Sequence, residues 1–562
     1  MTARSILNAS DQGQARFSAR PFCAIPTTAM KPILTLLFCC VAALQCRAAE
    51  CLPLKVGNPE GNYIVPGVRG EIVYQRVGNV SLALDAYVQK RGTKRPALLV
   101  IHGGNWDSGS RAAFIGQQLE LLTRAGFNWF VVDYRLGGLG NYQTSLADLR
   151  AALSFVRCHA REFRIDADNI ALFGEDTGAH LAALLAAERP AGVTAVALIG
   201  GQYDLHQIPS LKTQANSLLT EASPLSRVSQ TMPATLVVHG ANDREAPPEQ
   251  ARQYCDRLRT SGAQCQYLSV EGAIHRAENW PPHQWAYKEE LRGWLTAQMR
   301  LSQADHQPYV TRLRKDIVYD AERNLKLDAF TPPGAGPFPV VLIAHGGGWE
   351  AGDKVTYVTP LFATLAQAGF AWISLDYRLT PQVRNPEQLA DVRNAVRYVQ
   401  QHARELRIDP QRIALLGESA SGQLVAQLAV DGSLKIAAVV PFYGVYNFEL
   451  MARELTPRSI PTRLFGITKL DDEARATLRR FSPLHTLGKT ALPMLLVCGT
   501  KDGLFVQQQE FTAALEKAGI AFDQVTLSGA PHGMENWEGH PEWMSYKAQL
   551  VAWLRAKLAN RA

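Results

Sequence analysis

The chain has 562 residues, of which 47% are hydrophobic and 19% are charged, so it is too long for one hydrophobic core and too apolar to be disordered. Its formal net charge is +7, but residues 1–48 carry five basic side chains against one acidic, which leaves about +3 for the rest. No run of lysine and arginine indicates nucleic-acid binding. We therefore expect at least two globular domains and no nucleic-acid partner.

The N-terminal segment predicts export. Residues 32–43 form an apolar run that follows Lys31 and ends near the small residues Ala48 and Ala49, as in a secretory signal peptide. The run is too short to span a bilayer, and an interfacial anchor helix is the alternative. Because residues 1–29 show no periodicity, we expect translation to begin at Met30. The sequence thus predicts a leader over residues 1–48, a periplasmic or secreted protein, and no stable membrane span.

Five of the nine cysteines follow this leader. Export permits disulfides, and Cys255 on a predicted helix can pair with Cys265 at the start of the next strand. A pairing of Cys51 with Cys158 is a weaker prediction, and Cys498, inside an apolar strand, is expected to be a buried thiol. No spacing resembles a zinc site, so no metal is expected.

The remaining chain contains an internal repeat. Residues 49–300, the first copy, share short motifs in the same order with residues 310–562, the second copy, and the polar segment 301–309 predicts a linker. From His102 to Asp176 the counterpart always lies 243 residues further on. The matching motifs are IVY at 72–74 and 317–319, HGGNW and HGGGW at 102–106 and 345–349, VDYRL and LDYRL at 132–136 and 375–379, and FRID and LRID at 163–166 and 406–409.

The second copy contains a strand-to-helix turn with a serine at its apex. Residues 413–416 form a short apolar run that ends at Gly417, and small and apolar residues recur at helical spacing from Ala420 onward. Such a turn lifts the side chain of Ser419 above the edge of the sheet and directs the free N–H groups of the following helix toward it. This pattern is typical of a nucleophilic serine; a Gly/Ser-rich turn between buried elements is the alternative.

Three further motifs favour the nucleophile. Gly347 and Gly348 belong to an HGGG-type loop after the predicted strand 340–344, and their N–H groups, with that of Ala420, are expected to form an oxyanion hole. Asp502 follows the predicted strand 494–498, and His532 follows the predicted strand 521–527. The sequence therefore predicts a Ser419, Asp502, His532 triad, in which His532 is the base and Asp502 orients it.

These motifs resemble those of the α/β-hydrolases of the esterase/lipase superfamily, close to the hormone-sensitive-lipase-like and feruloyl/acetyl-xylan-type esterases. The resemblance covers residues 311–560 and is carried by HGGGWEAGDK, LDYRL, GESASG, GTKD and APHG. It implies an α/β-hydrolase fold, carboxylic-ester hydrolysis, and no cofactor. Together with the internal repeat, it predicts two tandem α/β-hydrolase domains, each a mostly parallel sheet covered by helices on both faces. Ser421 departs from the pattern, because a glycine normally occupies this position.

In the first copy an aspartate replaces the serine. The repeat places Asp176 at the nucleophile position and aligns Asp243 and His275 with the acid and the base. In one hypothesis the copy is inactive, because the Asp176 carboxylate pairs permanently with His275 and occupies the oxyanion site. In the other, Asp176 is a nucleophile that forms an alkyl-ester intermediate, but the small Thr177 and Asn105 at the loop position argue against it.

An inactive first copy can serve as a scaffold, a carbohydrate- or polymer-binding surface, or half of a dimer-like internal interface. Trp129, Trp280, His283 and Trp285 are candidates for an aromatic surface, although similar residues recur in the second copy and favour a structural role. The extra residues of the second copy fall within 443–493, where we expect a cap over the site.

The favoured function is an exported serine carboxylesterase that hydrolyses small acyl esters or acylated carbohydrates through an acyl-enzyme. A serine peptidase or amidase of the same fold, and a largely non-catalytic binding or assembly protein, remain alternatives.

Overall fold

Two eight-stranded sheets organise the chain in a computed structural model that describes residues 51–58, 67–89, 94–113, 116–280, 284–301, 313–488 and 491–559. The predicted signal peptide and nearly all of the predicted linker lie outside these residues. Among the described helices, none is both long and apolar enough to cross a membrane.

The two sheets share one topology. The strands of the first sheet are β1 (Val68–Val77), β2 (Val80–Tyr87), β3 (Arg95–Ile101), β4 (Asn128–Val132), β5 (Ile165–Glu175), β6 (Val193–Ile199), β7 (Ala234–Gly240) and β8 (Cys265–Val270). Those of the second are β9 (Leu313–Asp320), β10 (Leu325–Phe330), β11 (Phe338–Ala344), β12 (Ala371–Leu375), β13 (Ile408–Glu418), β14 (Ala438–Phe442), β15 (Met494–Gly499) and β16 (Phe522–Leu527). The first sheet has the order β1-β2-β4-β3-β5-β6-β7-β8, and the second has the corresponding order β9-β10-β12-β11-β13-β14-β15-β16. In the first sheet β2 pairs antiparallel with β1 and β4, in the second β10 pairs antiparallel with β9 and β12, and the other neighbouring strands pair parallel.

Helices cover both faces of each sheet. Along β3, Leu98 and Val100 join one hydrophobic cluster while Leu99 and Ile101 join another, because successive side chains of a strand point to opposite faces. Described helices of the first copy are Gly116–Ala125, Tyr142–Cys158, Thr177–Ala187, Asn216–Ala222, Pro248–Thr260 and Ala286–Gln298. Those of the second are Thr359–Gln367, Glu387–Gln401, Ala403–Leu406, Ala420–Val430, Ile460–Phe465, Asp472–Arg480, Phe505–Lys517 and Ser545–Lys557. The predicted fold class, two tandem α/β-hydrolase domains, is confirmed.

One hydrophobic cluster continues from the first copy into the second. It includes Leu119 and Leu291 from two helices of the first copy and Phe362 and Leu550 from the two corresponding helices of the second. Hydrogen bonds cross the same boundary: the Thr359 hydroxyl donates to the Ala112 carbonyl at 2.9 Å, and the Gly109 N–H donates to the Glu538 carbonyl at 3.1 Å. The two copies therefore share a core.

The structure tests the predictions made for the tryptophans and the cysteines. Trp129 and Trp280 are 0% and 1% exposed, so the aromatic-surface hypothesis is wrong for both. His283 lies outside the described residues. Cys255 and Cys265 form the predicted disulfide, with Cα atoms 5.5 Å apart. Each of Cys51 and Cys158 is disulfide-bonded, and Cys498 is the predicted buried thiol.

The extra residues of the second copy fold into short helices. They include the 3₁₀-helix Phe448–Ala452 and the helices Ile460–Phe465 and Asp472–Arg480, with no strand among the described residues of 443–493. The ring of Phe448 lies 5.6 Å from that of Trp349, which directly follows the glycines of the HGGG-type loop. This insertion therefore packs against the loop that the oxyanion prediction concerns.

Candidate active site

Ser419 lies at a sharp turn between β13 and the helix Ala420–Val430. Its backbone angles, φ 54° and ψ −115°, fall in a region that residues with a side chain rarely adopt, as expected for a nucleophile at such a turn. Gly417 permits the turn, since a Cβ there would collide with the carbonyl oxygen of Ser421. The Ser419 N–H donates to the Phe442 carbonyl at the end of β14, which fixes the apex above the carboxyl edge of the sheet.

The structure brings together the three residues of the predicted triad. Ser419 Oγ lies 2.9 Å from His532 Nε2, and His532 Nδ1 lies 2.7 Å from Asp502 Oδ2. The second carboxylate oxygen of Asp502 accepts the Leu504 N–H at 2.8 Å, which orients the carboxylate. The Asp502 side chain is 1% exposed whereas that of His532 is 43% exposed. The imidazole is therefore held on its buried side by Asp502 and is accessible to solvent on the other. This arrangement can deprotonate Ser419 as a general base does.

The HGGG-type loop follows β11 and packs against Glu418, the neighbour of Ser419, since a Cβ on Gly346 would collide with Glu418 Oε1. Gly347 has φ 96°, and a Cβ there would collide with the Ala351 carbonyl. His345 is buried against Tyr377, with ring centroids 4.4 Å apart, and its Nδ1 lies 2.8 Å from the Gly346 carbonyl. Burial lowers the pKa of His345 to about 4, so it is neutral and organises the loop.

Ser421, which departs from the usual pattern, is accommodated by hydrogen bonds. Its hydroxyl donates to the Ala344 carbonyl at 2.7 Å and accepts the Glu418 N–H at 2.8 Å. At the corresponding position of the first copy, a Cβ on Gly178 would collide with the Ile101 carbonyl. In the first copy the backbone at Gly178 therefore lies close to the end of β3, whereas in the second copy the Ser421 side chain links the turn to the end of β11 by a hydrogen bond.

In the first copy Asp176 has the same backbone geometry as Ser419, with φ 52° and ψ −122°. Its Oδ1 lies 3.2 Å from His275 Nε2, and its Oδ2 accepts the Gly104 N–H at 2.9 Å and the Asn105 N–H at 3.4 Å. The carboxylate thus fills the site that the loop N–H groups would offer to an oxyanion. Since Gly104 and Asn105 are the counterparts of Gly347 and Gly348, the same contacts indicate where an oxyanion fits in the second copy.

The first-copy site is a closed ion-pair network. His275 Nδ1 lies 2.8 Å from Asp243, and the Gln202 amide donates to Asp176 Oδ1 at 2.7 Å. Burial alone would lower the pKa of His275, but the hydrogen bonds and charges of Asp176 and Asp243 raise it to about 11. Burial would raise the pKa of Asp176, yet His275, Arg276 and the Gly104 N–H hold it well below its usual range. An imidazolium that stays charged cannot act as a base.

The two sites also differ in the solvent exposure of their histidines. The His275 side chain is 4% exposed, about a tenth of the value for His532. The fixed charge of His275 and its burial both oppose the hypothesis that Asp176 forms an alkyl-ester intermediate, because that reaction needs an accessible carboxylate and a free base.

Two buried glutamates near the second-copy site are not among the predicted site residues. Glu418 is 3% exposed, and burial, followed by the negative charge of Glu535, raises its pKa to about 8. Burial raises the pKa of Glu535 to about 7. Both carboxyl groups act on His532: burial would lower the pKa of its imidazole, but Asp502 foremost, and then Glu418 and Glu535, raise it.

Comparison with known proteins agrees with this architecture. The BD-FAE family matches residues 84–195 and 327–516, one stretch in each copy, and together these cover more than half of the chain. The chain belongs to the BD-FAE family. Both matched stretches include the turn of their copy, so the family covers Asp176 as well as Ser419.

Curated relatives resemble parts of this BD-FAE chain. Esterase LipC of Mycobacterium tuberculosis is 32% identical over 225 residues, which are 34% of this chain and 56% of LipC. Carboxylic ester hydrolase LipN of the same organism is 32% identical over 228 residues, 37% of this chain and 60% of LipN. The chain thus spans about half the length of the curated relatives it matches.

Among solved structures, a thermophilic esterase from Thermogutta terrifontis, Est2, is 26% identical with a TM-score of 0.38, covering 44% of this chain and 99% of Est2. A truncated carbohydrate esterase from gut microbiota is 21% identical with a TM-score of 0.39, covering 45% of this chain and 99% of its own.

Proposed function

We propose that this chain is an exported serine carboxylesterase whose second copy hydrolyses small acyl esters or acylated carbohydrates. The observation that carries the proposal is the continuous contact from Ser419 through His532 to Asp502, at 2.9 Å and 2.7 Å, with the imidazole open to solvent. The esterases among its relatives support the same reaction class.

The reaction proceeds through an acyl-enzyme. His532 Nε2 takes the proton of Ser419 as its Oγ attacks the ester carbonyl carbon, and the developing oxyanion accepts hydrogen bonds from the N–H groups of Gly347, Gly348 and Ala420. Asp502 holds the imidazole and stabilises its charged form. The proton passes from His532 to the departing alcohol, and the ester bond breaks. Water, deprotonated by His532, then releases the acid and regenerates Ser419.

The first copy is proposed to be non-catalytic. Asp176 already occupies its own oxyanion site, and the charged His275 between two carboxylates has no free lone pair to accept a proton. Its retained contacts support a structural role within the shared core.

Export is proposed from two observations. Residues 1–48 have the pattern of a leader, and all described cysteines except Cys498 are disulfide-bonded. Stable disulfides favour an oxidising compartment, either the periplasm or the exterior.

A substrate panel tests the proposal. Wild-type protein and Ser419→Ala are compared on p-nitrophenyl esters of increasing acyl length, acetylated sugars and a p-nitroanilide. We expect ester hydrolysis that Ser419→Ala loses by roughly 10⁶-fold in kcat. Cleavage of the anilide without cleavage of any ester would instead identify an amidase.

A further inference from the structure

The two histidines differ in exposure although the loops that carry them are alike. His275 and His532 each lie five residues after the end of their strand, β8 or β16, so the two loops have the same length. In both copies a tryptophan indole N–H donates to the carbonyl of the residue before the histidine, from Trp280 at 2.8 Å and from Trp537 at 2.7 Å. Even so, the His532 side chain is 43% exposed and that of His275 is 4% exposed. Another contact must therefore set the position of the imidazole.

The residue that follows the neighbouring strand differs between the copies. Tyr443 directly follows β14, and its counterpart, directly after β6, is Gly200. The Gly200 N–H donates to the Val238 carbonyl of β7 at 2.9 Å. The Tyr443 N–H donates to the Val497 carbonyl of β15 at 2.7 Å. Because their backbones make the same contact, the two positions are equivalent, and a glycine in one copy corresponds to a tyrosine in the other.

The side chain at this position limits how far each histidine can move toward the sheet. A Cβ on Gly200 would lie 2.9 Å from the His275 carbonyl oxygen, which is closer than Cβ atoms approach in folded proteins. Since Tyr443 carries a Cβ, the backbone at His532 cannot approach it as closely. The tyrosine ring lies against the imidazole instead, with ring centroids 4.7 Å apart and ring planes at 64°.

The Tyr443 hydroxyl holds the chain that follows His532. It accepts the Met534 N–H at 2.8 Å. In the first copy the corresponding N–H, that of Ala277, donates to the Glu175 carboxylate at 3.1 Å instead. One tyrosine of the second copy therefore contacts both the imidazole, through its ring, and the backbone two residues further on, through its hydroxyl.

Tyr443 is itself held firmly in a strained conformation. It is 0% exposed, and its ring packs at 85° against that of Trp537, with centroids 5.3 Å apart. Its φ is 34°, in the region that favours glycine, and its counterpart Gly200 has φ 60°. A bulky residue keeps such a conformation only where the surrounding structure imposes it, and such residues concentrate at active sites. The strain therefore points to a function of the Tyr443 side chain.

We propose that Tyr443 is a positioning residue for the reaction of the second copy: its ring supports the His532 imidazole within hydrogen-bonding distance of Ser419 Oγ, and its hydroxyl fixes the loop that carries the imidazole. The inference rests on the proposed function of Ser419. Because Tyr443 is buried, it does not touch the substrate, so its loss should lower kcat and leave KM nearly unchanged. A base displaced by about 1 Å can cost roughly 10²-fold in rate.

Tyr443→Gly is the direct test, because it introduces the residue of the first copy. Modification of histidines by diethyl pyrocarbonate, mapped by mass spectrometry on the full chain, measures how exposed each imidazole is. Without the ring we expect His532 to move toward the sheet and to react more slowly, by up to about tenfold, the ratio of the 43% and 4% exposures. His206, which is exposed, is the internal reference. We also expect kcat for p-nitrophenyl acetate to fall roughly 10²-fold, with KM within about twofold of wild type.

Tyr443→Phe separates the two contacts of the tyrosine. It keeps the ring and removes the acceptor of the Met534 N–H, so His532 should react at the wild-type rate while kcat falls by roughly threefold to tenfold. The matched control is Tyr134→Phe, which removes another hydrogen bond of a buried tyrosine, that to the His102 carbonyl of the first copy at 2.8 Å. This control should keep the wild-type kcat.

The outcomes separate the inference from the function on which it rests. If a fluorophosphonate labels Ser419 of the wild type, unchanged or faster modification of His532 in folded Tyr443→Gly overturns the inference alone, since a side chain that served only stability would leave a looser protein. Wild-type protein that is neither labelled nor active overturns both. If Tyr443→Gly does not fold, Tyr443→Phe decides: a kcat no lower than that of Tyr134→Phe overturns the inference, and a lower kcat at unchanged KM supports it.

Discussion

Asp176 and Ser419 occupy the same strand-to-helix turn in the two copies, with φ angles of 52° and 54°. Both residues therefore have a positive φ that residues with a side chain rarely adopt. The Ser419 hydroxyl lies beside the solvent-exposed imidazole of His532, whereas the Asp176 carboxylate lies beside the buried imidazole of His275. One atom of Asp176 lies where the loop N–H groups would meet an oxyanion. The difference between the copies is therefore chemical and local, and it does not require a change of fold.

The oxyanion loop gives a first prediction. Gly347→Ala should lower kcat by roughly 10²- to 10³-fold, because a Cβ there would push the loop away from Ala351 and displace a donor. Gly369→Ala is the control, since Gly369 also has positive φ, at 84°, but no atom lies within 4 Å of the position that the alanine methyl group would take. Steady-state kinetics on p-nitrophenyl acetate distinguish them, and equal losses in both variants would contradict the assignment.

The ion pair of the first copy gives a second prediction. Asp176→Asn should destabilise the protein by about 3–5 kcal/mol, because it leaves the buried His275 with one of its two carboxylates. Denaturant unfolding near pH 6 measures the change. Asp168→Asn serves as the control, as its side chain is 85% exposed. A loss no larger than that of the control would show that the pair is not a stabilising element.

The same network predicts a pH dependence. The folded pKa of His275 is raised from 6.5 to about 11, so its contribution to stability is complete below pH 6.5 and lost as the pH rises toward 11. The folded pKa of Asp243 is lowered from 3.8 to about 2, so its contribution is present above pH 3.8 and lost as the pH falls toward 2. We expect the unfolding free energy of wild type to exceed that of Asp176→Asn/His275→Gln most between about pH 4 and 6.5. A difference that grows as the pH rises above this window would contradict the prediction.

The disulfide gives a fourth prediction. Cys255 and Cys265 close a loop across a sequence separation of 10, and replacing both by alanine should cost about 2–3 kcal/mol through the freer unfolded chain. Reductant should destabilise the wild type more than the double variant, measured by thermal unfolding. An identical response of the two proteins would indicate that this bond does not contribute.

Much of the second-copy site could be predicted because its elements are local. The apolar runs that end at Gly417 and Ala344 are strands in the structure, and β13 begins at Ile408, earlier than predicted, because this residue pairs with Phe338 across the sheet. Ser419, Asp502 and His532 lie one, three and five residues after the ends of β13, β15 and β16, and parallel strands bring their carboxyl ends to one edge. The positions of these three residues after their strands were therefore enough to predict that their side chains lie close together.

The residues that sequence reasoning misses depend on packing between the copies. Nothing in the local pattern at Glu535 shows that the charge of Arg276, in the first copy, acts on its pKa, since that influence arises only when the two copies share a core. The sequence marks Tyr443 only as a boundary of the insertion, yet its ring lies 4.7 Å from that of His532. The recurrence of a glutamate at both turns, Glu175 and Glu418, was the available signal for the buried carboxylates.

Fluorophosphonate labelling of the full chain, followed by peptide mapping, tests most directly whether Ser419 is the nucleophile. We expect one labelled residue, Ser419, no label in Ser419→Ala, and greatly reduced labelling in His532→Gln. A folded wild-type protein that is not labelled, or one that is labelled equally well without His532, would contradict this assignment.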